Sequence, residues 1–253
     1  MHDGLKAAWV CWRLMVVFCA FCGTALSQEL EFPKSPTLWV DCGTGDQKPE
    51  ARDIVGPVFV AKSGQHRAKA KVKVKVKGYD CHNTTTLWFS EGTTLEFKAA
   101  YTQLPIEPDV RGNGMQIVDW SPDGKLLLTE LWQWNTMAND ADFGQRIIVF
   151  NPQHNKHFEV DLKKLQPDPK AECLIQYQLL GFTSDSWVAL KTKVSTFYSV
   201  DDTIDGKPPD ARCELPVEVL KIDPQTQERL PLPKDFQPEK YSTKMKDDVA
   251  TQE

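Results

Sequence analysis

The chain has little of what most active-site chemistry needs. Histidine is scarce, with five in 253 residues, and only His154 and His157 stand at a spacing that suits one metal. That pair, in His154-Asn155-Lys156-His157, falls between expected strands and reads as an exposed turn. There is no G-x-S-x-G elbow, no glycine-rich phosphate loop and no H-E-x-x-H helix. Basic excess is absent too: 30 Lys and Arg stand against 35 Asp and Glu, a formal charge of −5. A dedicated nucleic-acid binder is therefore not expected. Long apolar runs are missing, since the one from Leu14 to Cys22 is shorter than the roughly 20 residues a spanning helix requires.

That single run has a different reading. Lys6 and Arg13 precede it, and Ala25-Leu26-Ser27 puts small residues before a break at Gln28. This is the order of a secretory signal peptide over 1–27, which makes the expected location secreted or periplasmic. Three of the seven cysteines, Cys11, Cys19 and Cys22, leave with it. The remaining four, Cys42, Cys81, Cys173 and Cys213, form no C-x-x-C pair, so disulfides are expected rather than zinc. Three connectivities exist. Cys42–Cys81 and Cys173–Cys213 are favoured because each would staple one local unit.

Past the signal the chain reads as strands and turns. Short runs of Val, Ile, Leu, Phe, Trp and Thr, bounded by Gly, Pro, Asn and Asp, fill 54–232, and helical periodicity is hard to find. The clearest hairpin joins Met115–Trp120 to Leu126–Trp132 through Ser121-Pro122-Asp123-Gly124-Lys125. Pro122 presets φ for the first corner, Asp123 bonds nearby backbone, and Gly124 takes the positive φ that closes the turn.

Trp120-Ser121-Pro122-Asp123-Gly124-Lys125 resembles the blade turn of the TolB-type and WD40-like (PD40) β-propeller families. The resemblance implies a four-stranded blade and says little about function. A second copy follows: Phe182–Leu190 lies over Trp120–Leu128 without a gap, and Val219–Gln225 over Ile147–Gln153. A weaker copy precedes both. Self-similarity of this kind marks repeat folds. The expected fold is all-β, with antiparallel four-stranded units at 54–104, 112–166 and 172–232. Closed propellers have at least four blades, so three units imply an open or incomplete propeller, with a β-sandwich as the alternative. Residues 28–53 are expected as an N-terminal extension and 233–253 as a disordered, solvated tail.

Several surfaces are candidates for binding. Lys69, Lys71, Lys73, Lys75 and Lys77 alternate with Ala70, Val72, Val74 and Val76, so a strand puts all five ammonium groups on one face. Two readings follow: a stripe for an anionic polymer, or, more commonly, a solvated strand whose lysines discourage edge-to-edge pairing. Trp132 and Trp134 share a strand face, either for sugar stacking or, more commonly, as buried aromatics. Asp201, Thr203, Asp205 and Gly206 echo a calcium loop, but Arg212 occupies the position of its glutamate. Asn139, Asp140, Asp142 and Gly144 form another polar loop. Asn83-Thr84-Thr85 is a glycosylation pattern. The leading expectation is a non-enzymatic exported scaffold without cofactor or metal. Its partner is an envelope or extracellular protein, or a second copy. The loops at Ser121–Lys125 and Thr183–Trp187 would make contact. Binding of an anionic polymer or glycan, such as an acidic polysaccharide, through the Lys69–Lys77 strand is the alternative. A hydrolase using Asp140, Asp142, Asp201 and Asp205 is a further one, since a catalytic triad leaves no local motif.

Overall fold

The computed structural model describes residues 51–77, 80–92, 94, 96–104, 111–135, 143–165, 176–193 and 217–245. The expected signal peptide, the loops at 136–142 and 194–216, Cys42, Cys173 and Cys213 lie outside them. The described strands belong to Ser35–Glu253, the larger of two units into which the chain divides. The described residues form three antiparallel sheets of six, four and four strands, none of which closes into a barrel.

The first sheet contains β1 (Arg52–Val55), β2 (Val58–Ala61), β3 (His66–Lys77), β4 (Asp80–Glu91) and β5 (Lys98–Gln103). β3 and β4 pair over the full twelve residues of each strand. On the other side of β3 the chain runs as β1 and then β2, interrupted at Gly56-Pro57. Gly56 still donates to the Ala70 carbonyl at 2.8 Å, whereas Pro57 has no N–H to give, so the ladder breaks there.

The second sheet is β6 (Arg111–Trp120), β7 (Leu127–Asn135), β8 (Phe143–Asn151) and β9 (Lys156–Glu159), paired in chain order. The third is β10 (Gln176–Phe182), β11 (Val188–Lys193), β12 (Val219–Ile222) and β13 (Arg229–Pro231), again in chain order. The two repeat each other in detail. Register slips at Val118 in one and at Leu180 in the other, at matching places in the first strand. Both β8 and β12 run into a turn closed by a left-handed residue, Asn155 (φ 48°) and Gln227 (φ 62°). The ladders place Trp120 opposite Leu127 and Phe182 opposite Val188. The gapless overlay of Phe182–Leu190 on Trp120–Leu128 is therefore off by one after the turn. Ser121 N–H donates to the Leu126 carbonyl and Thr183 N–H to that of Trp187, both at 2.8 Å, so the second turn is one residue shorter.

The sheets stack face to face through two cores, because the middle sheet is apolar on both sides. One core joins Ala68, Ala70, Val72, Val74, Leu87 and Phe89 of the first sheet to Met115, Ile117, Trp120, Leu131, Ile148 and Phe150 of the second. The other joins Leu128, Ile147 and Val149 to Tyr177, Phe182, Val188, Leu190 and Ile222 of the third. A strand with apolar side chains at successive positions, such as Ile147-Ile148-Val149-Phe150, must be covered on both faces. Trp120 lies at the first junction with no exposed surface. It donates from Nε1 to the Phe59 carbonyl at 3.2 Å and stacks 5.7 Å from His66. Burying such a ring contributes about 2–3 kcal/mol.

The expected tail from 233 needs correction. Residues 233–241 run back from the third sheet, and β14 (Ser242–Met245) pairs antiparallel with β2 to complete the first. Pro238 passes over Gly181 of β10, where an added Cβ would lie 3.3 Å from the ring. Tyr241, 7% exposed, enters the second core, and its N–H donates to Asp119 of β6, 3.1 Å from Oδ2. The segment thus touches β10, β6 and β2, one strand of each sheet, in turn. Charge and hydropathy made it look solvated, but its few apolar residues and its backbone are what hold it. Residues 246–253 lie outside the described residues.

The disulfide expectation is also corrected: no disulfide is present among the described residues. Cys81, opposite Val76 in the β3–β4 ladder, is the one of the four cysteines expected to pair whose backbone is described. The unit that Cys42–Cys81 was expected to staple is held by the long β3–β4 ladder and the core beneath it.

Candidate interaction face

Alternation along β3 separates two chemistries. Ala68, Ala70, Val72 and Val74 are buried against the second sheet. Arg67, Lys69, Lys71, Lys73 and Lys75 share the opposite, outward face, and Lys77 has the same register parity. Exposure rises along the row: Lys69 and Lys71 are half-buried, while Lys73 and Lys75 are exposed. Lys69 holds its ammonium 4.4 Å from the centre of the Phe97 ring, and Lys71 is ion-paired with Asp53 at 2.8 Å. Such a half-exposed pair contributes little, about 0.2–1 kcal/mol. Lys73 and Lys75 have no acidic partner among the described residues.

β4 supplies the rest of this face. His82, Thr84, Thr86 and Trp88 stand opposite Lys75, Lys73, Lys71 and Lys69, each half-buried. Thr102 of β5 continues the hydroxyl row 3.5 Å from Thr86. Two acidic positions share this face: Asp53 of β1, which stands opposite Lys73 and is ion-paired with Lys71, and Asp80, opposite Lys77 at the end of the ladder. Ammonium, hydroxyl, imidazole and indole groups therefore dominate, and nearly all of them can donate.

β3 is not an edge strand along most of its length, since β4 pairs with it on one side and β1 and β2 on the other as far as Val74.

The β6–β7 turn, Ser121–Lys125, is held by its own hydrogen bonds and by packing. Ser121 is 1% exposed, and its Oγ donates to Asp123 Oδ1 at 2.6 Å and accepts from Leu126 N–H at 2.9 Å. Gly124 has φ 71°, and an added Cβ would lie 3.2 Å from Ser63 Oγ. Its carbonyl accepts from His66 Nδ1 at 2.6 Å. Trp120, Ser121 and Gly124 thus lock the second sheet onto the β2–β3 turn, while Asp123 and Lys125 remain exposed. The matching turn in the third sheet is more open. Thr183 Oγ1 donates to Asp185, and Asp185 meets Lys221 Nζ at 2.5 Å. Those two hydrogen bonds, Lys221 first, hold the Asp185 carboxyl below its ordinary value.

The remaining candidates scatter. Trp132 is 5% exposed and belongs to the interior; the side chain of Trp134 lies outside the described residues. Asn83 has no exposed surface, so its glycosylation pattern points into the fold. His154 and His157 are exposed around the Asn155 turn, and His157 lies edge-on to Tyr101 at 5.6 Å. No three His, Cys, Asp or Glu side chains gather to hold a metal among the described residues. A cleft of about 330 Å³, lined by residues that include Asp161, Lys164, Gln227 and Arg229, lies beside the β12–β13 turn. Its polar groups bond one another: Asp161 N–H donates to Gln227 at 2.9 Å and Arg229 to the Lys164 carbonyl at 3.2 Å.

Two buried carboxylates were not singled out from the sequence. Asp119, with no exposed surface, accepts from Trp120 N–H at 2.9 Å, Ser242 Oγ at 2.5 Å and Tyr241 N–H. Its position beside Trp120 was the available signal, but its partners Tyr241 and Ser242 are more than 120 residues away. Glu130 is 6% exposed and accepts from Gln145 Nε2 at 2.5 Å; Gln145 also pairs with both backbone groups of Tyr177. Burial pushes the Glu130 carboxyl above its ordinary value, offset in part by its hydrogen bonds to Gln145 and Trp132.

No family model matches the chain, and neither a curated protein nor a solved structure matches it. What stands is the class: an all-β protein of several antiparallel sheets. Among its described residues no helix is long and apolar enough to cross a membrane.

Proposed function

We propose that the protein is a non-enzymatic interaction scaffold, exported to the periplasm or outside the cell. Its three sheets act as blades of an open propeller, and its working surface is the outward face of β3 and β4. One observation carries this reading: β3 is an interior strand, yet it turns a row of cations outward, with Lys73 and Lys75 exposed. The β6–β7 turn, first expected to make contact, is occupied by its packing against Ser63 and His66. A stiff sheet with a distinctive face suits binding, because little conformational entropy is lost on contact.

The test is photocrosslinking in the host with a reactive side chain at position 84, in the middle of the face, and at position 184, on the exposed β10–β11 turn. Adducts from position 84 alone are expected. Adducts from position 184 alone would move the surface to the turn, and none from either would end the scaffold reading.

A further inference from the structure

We infer that the outward face of β3 and β4 binds a linear acidic polysaccharide laid along β3. This rests on the scaffold reading and names its partner by chemistry. Alternate residues of a strand are about 6.7 Å apart, so Lys69, Lys71, Lys73 and Lys75 form a straight, evenly spaced cationic row. A folded protein partner would have to supply matching acids on a flat surface, whereas a repeating polymer supplies them by its covalent regularity. The chain as a whole carries −5, so attraction of a polyanion has to come from a local row of cations such as this one.

The neighbours on β4 distinguish a sugar chain from a nucleic acid. Thr84 and Thr86 stand beside Lys73 and Lys71, and hydroxyls placed between ammonium groups suit a polymer that carries both acids and hydroxyls. Strand-binding nucleic-acid surfaces instead present open aromatic platforms for the bases. Here Trp88 is half-buried with its Nε1 enclosed, and Phe97 is occupied by Lys69. Asp53 is ion-paired with Lys71 and stands opposite Lys73, and the pair that carries the contact is the exposed one, Lys73 and Lys75, flanked by His82 and Thr84.

Binding of the full chain to heparin and to polygalacturonate, at 20 to 300 mM salt, tests this. Lys73→Gln with Lys75→Gln is expected to weaken both at least tenfold at low salt and to flatten the salt slope by about two ions. Lys73→Arg with Lys75→Arg keeps the charge and is expected to retain binding. Lys163→Gln with Lys234→Gln, at exposed sites elsewhere, is expected to change nothing. Thr84→Glu leaves the lysines in place and is expected to weaken binding by repulsion; circular dichroism checks the fold of each variant. Three results would overturn the inference: no binding by the natural chain, equal binding by the glutamine pair, or equally tight binding of single-stranded DNA. If glycans fail while position 84 still crosslinks to a partner, the polysaccharide assignment falls and the scaffold reading survives. If both fail, both fall.

Discussion

The second and third sheets are two castings of one pattern. They share strand order, a slipped residue in the first strand, a polar turn between the first two strands and a left-handed residue after the third. They differ in what lies on either side. The second sheet is covered on both faces, and its turn is pressed onto the β2–β3 turn of the first. The third has one face on the second core, while the other carries the returning chain, with Pro238 over Gly181, and its β10–β11 turn is tied to β12 through Asp185 and Lys221. Equivalent positions have taken different residues accordingly: Trp120 and Phe182, Asp119 and Gly181, Gly124 and Ser186. The repeated backbone supplies the frame, and the neighbours decide which side chain each position needs.

Substitutions at these paired positions can break that comparison. The largest effect is expected at the junction tryptophan: Trp120→Ala should cost about 5 kcal/mol and Phe182→Ala about 3, because Trp120 also ties Phe59 and His66. Urea unfolding measures both, and equal losses would mean that Trp120 does not link two sheets. Next comes the returning C-terminal segment. Asp119→Ala should cost about 3 kcal/mol by stranding the Tyr241 and Trp120 N–H groups. Its coupling to Ser242→Ala in a double-mutant cycle should be about 1 kcal/mol.

The turns give a smaller contrast of opposite sign. Gly124→Ala should cost about 2 kcal/mol, since it places a Cβ at positive φ and close to Ser63 Oγ. Ser186→Gly, where φ is 65°, should be neutral or gain about 0.5 kcal/mol, because relieving the left-handed strain is offset by backbone entropy. Both are read from melting temperature.

An effect confined to high pH concerns Glu130, which faces the third sheet. Its folded carboxyl holds a proton more tightly than the unfolded one, with an ordinary value of 4.5. That contribution is fully present below the ordinary value and is lost as pH rises through the raised folded one. Glu130→Gln should remove this decline and gain about 1 kcal/mol at pH 8, with no gain at pH 4. Melting curves across that range check the sign.

The strands themselves were legible. β-Branched and aromatic runs cut by Asn-Pro, Asp-Pro and Pro-Asp-Gly turns are local signals, and the inward and outward faces of β3 follow from alternation alone. The one-residue difference between the two blade turns was hidden, because Ser184-Asp185-Ser186-Trp187 can be aligned with or without a gap. Asn83 looked like an acceptor for sugar because its tripeptide is a local pattern, while its burial depends on the second sheet packing above it.

The sequence by itself determined that the chain makes antiparallel strands, where most of them run and which faces of the repeats are apolar, since side-chain period and turn chemistry act over a few residues. Only the tertiary structure decided that β3 is an interior strand and that the middle sheet is covered on both faces. It also decided that residues 233–245 return to the first sheet through Asp119. Those outcomes depend on pairings between residues as far apart as Asp119 and Tyr241, where no local signal reaches and the best-packed partner wins.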